Sequence, residues 1–351
     1  MNGTILIYGA AGYTGKLIAK VAVDQGALPI LAGRDPGNVE ASAKPLGLAA
    51  RAFDLRDPGR IDAAIKDVSA VLCVAGPFST TSKPMADACL RNRVHYLDIT
   101  GEIDVFETLA ARDAEANAQG VTLLPGVGFD VVPSDCLAAH LKRRLPDAND
   151  LKLYLSLGAN MSRGTAKTMV EAIAAGTRLR RHGRLVTRIR AEEGSCDFGK
   201  GKKPTIQVSW GDVSTAYRST GIPNIEVQFA ALPAIRRFAR TPAFVKSFFG
   251  LGFMQSFLKA QVDRMPEGPS ETARRAGQAT LVGEARNAAG QTVRARLRTP
   301  EGYALTALTA FDAAKRVAAG EVGAGFQTPG SAFGPDYILS FDGVTRDDLN
   351  S

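Results

Sequence analysis

Three glycines, Gly9, Gly12 and Gly15, recur at every third position of the stretch GAAGYTG, between the apolar run TILIY and the helical pattern KLIAKVAV. Such a turn suits a diphosphate. The first glycine makes the tight turn, the second lets the backbone approach a pyrophosphate, and the third allows close packing of helix on strand. The helix that follows offers free N–H groups and a partial positive charge to the same anion. Glycine turns of this spacing also occur for structural reasons alone, so the residues downstream carry the decision. The next apolar run, LPILAGRD, ends about two dozen residues past Gly9, where the adenosine ribose lies in a dinucleotide site. Arg34 at that end can fork onto a 2′-phosphate, which favours NADP. The adjacent Asp35 keeps NAD open, and a solvated Arg–Asp pair is the plain alternative. Two later strand ends suit the same ligand: Asp54 and Leu55 beside the adenine, and Ala75, Gly76, Pro77 and Phe78 on the nicotinamide side, where a simple turn is the alternative.

These residues need a scaffold that brings strand ends together, and the first 130 residues read as one. Short apolar runs (TILIYG, LPILAG, ARAFDL, AVLCVAG, HYLDIT, VTLLPG) alternate with helical patterns, among them a single helix over FETLAARDAEANAQ. Parallel pairing with crossover helices follows, because a parallel return cannot be made with a tight turn. The expected fold class is α/β, a Rossmann-type doubly wound parallel sheet. After PSDCLAAHLKRRL the texture changes to LKLYLSL, PTIQVSW, NIEVQFA and a hairpin in QATLVGEARNAAGQTVRARLRT turning at Asn287 to Gly290. A second α+β domain with a largely antiparallel sheet is expected there. The expected boundaries are 1–131 for the nucleotide domain, 132–302 for the substrate and dimerisation domain, and 303–351 for a helix and tail returning to the first.

Composition narrows the function. The 351 residues are 45% hydrophobic and 22% charged, an ordinary globular balance. Four separated cysteines and three histidines offer no metal spacing, so no metal is expected. The net charge of +8 suggests an acidic partner. Without a nucleic-acid motif, a small molecule is preferred over nucleic acid. No apolar run is long enough to span a bilayer and no signal segment opens the chain, which gives a cytoplasmic expectation. The basic amphipathic stretch Leu232 to Lys259 reads as a helix packed on its own core or on a second subunit, hence a homodimer, with peripheral membrane contact or an acyl-chain lid as alternatives.

Short-chain dehydrogenases share the glycine spacing but catalyse with Tyr-x-x-x-Lys, and no tyrosine here has a lysine four residues on. The motifs HYLDITGE, GVGFDVVPSDCLAAHL, WGDVSTAYRSTGIPNIEV, GPSETARRAGQATLVGEA and TPEGYALTALTAF instead resemble the saccharopine dehydrogenase-like oxidoreductases, in particular the branch with trans-acting enoyl reductases. That resemblance implies hydride transfer between NADP and a C=C or C=N bond. It also implies that Gly9, Ala11, Gly12, Tyr13, Thr14 and Gly15 cradle the phosphates, that Arg34 holds the 2′-phosphate, and that Gly76, Pro77, Gly101 and Glu102 line the nicotinamide side. Hydride chemistry needs a group to supply or remove a proton. Asp130, just past the sixth strand, and Tyr303, at the start of the returning helix, are the candidates, a turn residue and a core aromatic being the plain alternatives. Ser134 reads as a helix N-cap or a substrate anchor, and Ser162, Thr165 and Lys167 as caps at another helix start or as contacts for an acidic substrate group. The expected reaction is reduction of an activated C=C bond in a hydrophobic or acyl-type substrate. A saccharopine-type C=N reductase and a non-catalytic NADP(H)-binding module are the alternatives.

Overall fold

The computed structural model describes residues 3–157, 176–231, 254, 256, 260–261 and 268–350. The chain forms two compact units, one of Met1–Val132 with Tyr303–Tyr337, the other of Pro133–Gly302 with Ile338–Ser351.

In the first unit, strands β1 (Ile5–Tyr8), β2 (Ile30–Gly33), β3 (Ala50–Ala52), β4 (Ala70–Cys73), β5 (His95–Asp98) and β6 (Thr122–Leu124) alternate with helices α1 (Tyr13–Asp24), α2 (Pro36–Ala43), α3 (Pro58–Ile65), α4 (Phe78–Asn92), α5 (Ile103–Ala110) and α6 (Asp113–Gln119). The pattern read as one helix over FETLAARDAEANAQ is therefore two, α5 and α6. The strands pair in parallel in the order β3-β2-β1-β4-β5-β6, the doubly wound arrangement, and strand order reverses between β1 and β4. Successive residues of β1 face opposite ways. Ile5 and Ile7 join a core with Ile18 and Ala22 of α1, whereas Leu6 and Tyr8 join another with Ile61 of α3 and Met85 of α4. Burial on both faces explains why β1, β2 and β4 appear in the sequence as continuous apolar runs, whereas the edge strand β3, ARA, is largely exposed.

The second unit begins its sheet with β7 (Asp150–Ser156), β8 (Thr177–Arg181), β9 (Arg184–Arg188), β10 (Glu193–Asp197), β11 (Lys202–Val208) and β12 (Asn224–Ala230). It continues with β13 (Gln278–Arg286) and β14 (Thr292–Pro300), the expected hairpin, whose turn is closed by hydrogen bonds from Gly290 N to Asn287 O and from Asn287 N to Gln291 O. Only β7 and β12 pair in parallel; the other pairings described are antiparallel. Helix α7 (Val132–Arg144) packs against this sheet closely enough that a Cβ at Gly283 would lie 2.5 Å from Leu141 Cδ1. Helix α8 (Asp212–Thr220) precedes β12, and α9 (Glu271–Ala276) precedes β13.

The chain returns to the first unit as α10 (Gly302–Ala318), β15 (Gly325–Phe326) and α11 (Pro329–Phe333). Strand β15 extends the parallel sheet beside β6. The last residues correct the expectation that all of 303–351 returns there. Strand β16 (Thr345–Leu349) pairs with β14 in the second unit, where Asp347 meets Arg298 at 2.6 Å and Arg296 at 3.2 Å. Its charges had no visible partner in the local sequence.

Candidate nucleotide site

The glycine turn lies where the strand order reverses, the place at which open α/β sheets bind ligands. Gly9 has φ +89°, and a Cβ there would sit 2.8 Å from Ala75 N, so the ends of β1 and β4 meet through a bare backbone. A Cβ on Gly15 would come within 2.5 Å of Gly9 O and 2.6 Å of Ala10 Cα, which fixes how closely α1 approaches the turn. Gly12 is different. It is exposed, and a Cβ there would meet only Gly9 O, at 3.3 Å. Its absent side chain leaves room above the turn rather than relieving a clash.

Electrostatics separate α1 from its neighbours. Asp35 caps α2 and Asp57 caps α3 through their side chains, Glu102 accepts from the first amides of α4, and α5 and α6 carry Asp104 and Asp113 in their first turns. Helix α1 has a glycine cap without a side chain and no acidic residue in its first turn. Among the helices between β1 and β6 it alone lacks a carboxylate at its positive end, so an anion from outside the chain fits there. Ala11, Tyr13 and Thr14 belong to this turn and first helical residues. A diphosphate on the amides around Gly12 matches both the space and the charge.

At the end of β2, Arg34 is exposed and makes no ion pair with a described residue. Asp35 instead turns its carboxylate back to accept from Asn38 N at 2.8 Å. The cation is therefore free to meet a 2′-phosphate, while the anion that would favour a 2′-hydroxyl is engaged. Asp54 lies past β3 beside Phe53, whose carbonyl accepts from the Tyr8 hydroxyl at 3.1 Å. The Arg56 guanidinium at 2.7 Å holds the Asp54 carboxyl down at about 2, and Arg34 adds to the effect from further away. Leu55 follows Asp54 and packs against the core on the α3 and α4 side of the sheet.

After β4 the chain runs Ala75-Gly76-Pro77-Phe78, with a cis peptide at Gly76–Pro77. The Glu102 carboxylate accepts from Phe78 N and Ser79 N, both at 2.8 Å, and Thr81 Oγ1 donates to Ala75 O at 2.6 Å. Glu102 thus anchors the start of α4. Replacing it with Ala leaves two first-turn amides without their acceptor, and a stability loss of about 1–2 kcal/mol is expected. A urea midpoint indistinguishable from wild type would refute this role.

Sequence reasoning missed the network behind Glu102. Asp98, fully buried at the end of β5, accepts from Tyr96 Oη (2.7 Å), Thr100 N (2.9 Å) and Gly126 N (3.0 Å), and Thr100 Oγ1 accepts from Glu102 N (3.0 Å). Burial pushes the Asp98 carboxyl up to about 6, against these hydrogen bonds. Gly101 then lies against Asp130: a Cβ on it would be 3.1 Å from Asp130 Oδ2. Asp130 is half-buried, and burial pushes its carboxyl up to about 6 as well. Phe129 N donates to Thr306 Oγ1 (2.9 Å) and Thr309 Oγ1 donates to Val127 O (2.8 Å), which holds the segment before Asp130 to α10. One turn earlier on α10, Tyr303 sets its ring edge-on to Tyr13, 5.3 Å between centroids at 86°. Tyr303 thus meets the first residue of α1, and Asp130 follows directly on the segment held to the same helix α10.

Residues 5–124 match the family model described as saccharopine dehydrogenase NADP binding domain. The match lies within the first unit, and the domain so described binds NADP, in accord with the free Arg34 and the engaged Asp35. Among curated proteins, the chain is 32% identical over 149 residues to a trans-acting enoyl reductase of Mycobacterium leprae, covering 40% of this chain and 36% of that one. It is 30% identical over 161 residues to a saccharopine dehydrogenase-like oxidoreductase of Rattus norvegicus, covering 40% and 38%. The chain thus spans little more than a third of the length of these relatives. In fold, apo saccharopine dehydrogenase (L-Glu forming) from Saccharomyces cerevisiae aligns over 99% of this chain and all of that one with a TM-score of 0.68 at 12% identity. That likeness extends the fold beyond the NADP-binding domain to the second unit.

Of the expected substrate contacts, only Ser134 lies among the described residues. Ser134 is the third residue of α7 and fully buried; the helix starts earlier, at Val132, so Ser134 is not its cap. Ser162, Thr165 and Lys167 lie outside the described residues, as does most of Leu232 to Lys259. Among the described residues, no group of three or more His, Cys, Asp or Glu could hold a metal ion, and no helix is long and apolar enough to cross a membrane.

Proposed function

We propose that this chain is an NADPH-dependent reductase that saturates an activated C=C bond in a hydrophobic or acyl-type substrate. One observation carries the reading. The uncapped start of α1 and the carboxyl of Asp130, held in a range where it can carry a proton, belong to one rim of strand ends, linked through Ala75, Glu102 and Gly101. NADPH, when bound, supplies a hydride. The chain's own residues do the rest. Amides around Gly12 bind the diphosphate and Arg34 forks onto the 2′-phosphate. Glu102 fixes the Gly76–Pro77 turn beside the nicotinamide end. Asp130 holds the proton that joins the second carbon as the first receives hydride, so that one double bond is reduced and the nucleotide oxidised. The trans-acting enoyl reductase relatives support this choice of bond.

Fluorescence titration with NADPH and NADH tests the cofactor half. Arg34→Ala is expected to weaken NADPH binding about 10- to 100-fold, to the NADH level, while leaving NADH binding unchanged. NADPH consumption with enoyl thioesters and with imines tests the other half. Turnover of imines alone would replace the proposed bond with C=N, and equal loss of both nucleotides in Arg34→Ala would remove the 2′-phosphate contact.

A further inference from the structure

We infer that the hairpin β8–β9 is a docking surface for an anionic lipid membrane. The hairpin turns at His182 and Gly183, both with positive φ, in the two-residue form that matches strand twist. It is firmly based. Arg180, buried beneath it, donates to Val213 O (2.6 Å) and Gly183 O (2.7 Å) and lies 4.2 Å above the Tyr217 ring, while Arg181 reaches Glu226 at 2.6 Å.

What this base holds outward is β9, which pairs only with β8 among the described residues. From Thr177 to Arg190 the segment TRLRRHGRLVTRIR contains six arginines and no acidic residue. Arg184, Arg188 and Arg190 are exposed. Arg188 meets the exposed Glu192 at 2.6 Å, whereas Arg184 and Arg190 make no ion pair with a described residue. Between them stand Val186, 39% exposed, and Ile189, 79% exposed, two of the five large hydrophobic side chains exposed on the described chain. Arginines interleaved with bare aliphatic side chains match an interface where phosphate headgroups border hydrocarbon. Single-stranded nucleic acid stacks on aromatic platforms, which the hairpin lacks, and the phosphates of a duplex would leave Val186 and Ile189 without an apolar partner. The inference stands apart from the proposed reaction, because β8 and β9 belong to the second unit and contain none of the nucleotide-binding residues.

Vesicle flotation tests it on the full chain. The protein is expected to float with vesicles of phosphatidylcholine and phosphatidylglycerol, to stay behind with phosphatidylcholine alone, and to be released at ~1 M salt, where screening is nearly complete. Arg184→Glu with Arg190→Glu should lower partitioning about tenfold or more, and Ile189→Ser should lower it several-fold. All altered residues are exposed, so NADPH titration should give wild-type affinity and certify the fold. Failure to float with the anionic vesicles, or flotation of the double variant like wild type, overturns the inference. Loss of a dimer in the double variant without a change in flotation would assign the hairpin to a second copy of the chain instead.

Discussion

Asp130→Asn should lose turnover by about 100-fold or more, the usual worth of a positioned proton donor, while making the folded protein more stable at neutral pH. The two effects share one cause. Burial raises the Asp130 carboxyl from 3.8 to about 6 in the folded chain. Below about pH 4 both folded and unfolded chains hold the proton, and the residue costs nothing. As pH rises through 6, the unfolded chain ionises freely while the folded chain must ionise a desolvated group, so stability contributed by this site is lost over that window. A shift of about two pH units corresponds to about 3 kcal/mol for a dry site, and partial exposure reduces this to about 1–3 kcal/mol. Asparagine removes the penalty. Urea unfolding of both proteins at pH 4 and pH 8 should show a difference that appears only at the higher pH, with NADPH affinity unchanged at both. Full turnover in Asp130→Asn would transfer the proton to another group, with Tyr303 the next to change. Equal stability at pH 8 would mean that the carboxyl is not desolvated.

Gly12→Ala and Gly15→Ala should fail in opposite ways, although each adds one methyl group to the same turn. At Gly15 the methyl group would collide with backbone at 2.5 Å, where nothing flexible can give, so the variant should lose several kcal/mol of stability or fail to fold. At Gly12 the backbone has φ −76° and ψ 168°, ordinary for alanine, and only one contact at 3.3 Å is tight. Its melting temperature should stay close to wild type. NADPH affinity should nonetheless fall about 100-fold, about 2.7 kcal/mol, because the methyl group takes the space into which the diphosphate must come. Isothermal titration and thermal melts on the two variants read the contrast. A stable Gly12→Ala protein with wild-type affinity would make the turn purely structural and remove the nucleotide site from it.

How much of this was visible in the sequence depended on whether the deciding partners were near or far along the chain. Strands β1, β2 and β4 were legible because parallel strands buried on both faces are written as unbroken apolar runs, β3, β5 and β6 from their alternation with helical patterns, and Gly9 to Gly15 because a turn signals itself locally. Asp98 was not: the amide that defines its role, Gly126 N, lies 28 residues away, and nothing in HYLDIT announces it. Strands β8 and β9 carry arginine where apolar residues would mark a strand, and β16, TRDDL, gains its place from Arg296 and Arg298 on a distant strand. Asp35 illustrates the middle case. Beside Arg34 it looked like a competing ribose contact, and only the helix behind it explains why it serves as a cap.

The route of the chain through the first unit sets a timetable for its making. The nucleotide-binding part is interrupted after Val132 and completed only when Tyr303–Tyr337 arrives. Ala307, Ala310, Phe311, Ala314 and Val317 of α10 lie in the same core as Ile5, Ile7 and Leu31, and β15 covers the edge of β6. A ribosome therefore releases the glycine turn early, but the apolar face beneath it stays open to water until 170 further residues, 133–302, have emerged. During that interval the newborn chain displays an unfinished apolar edge, the kind of surface on which chains associate wrongly, and the arrival of α10 and β15 closes it.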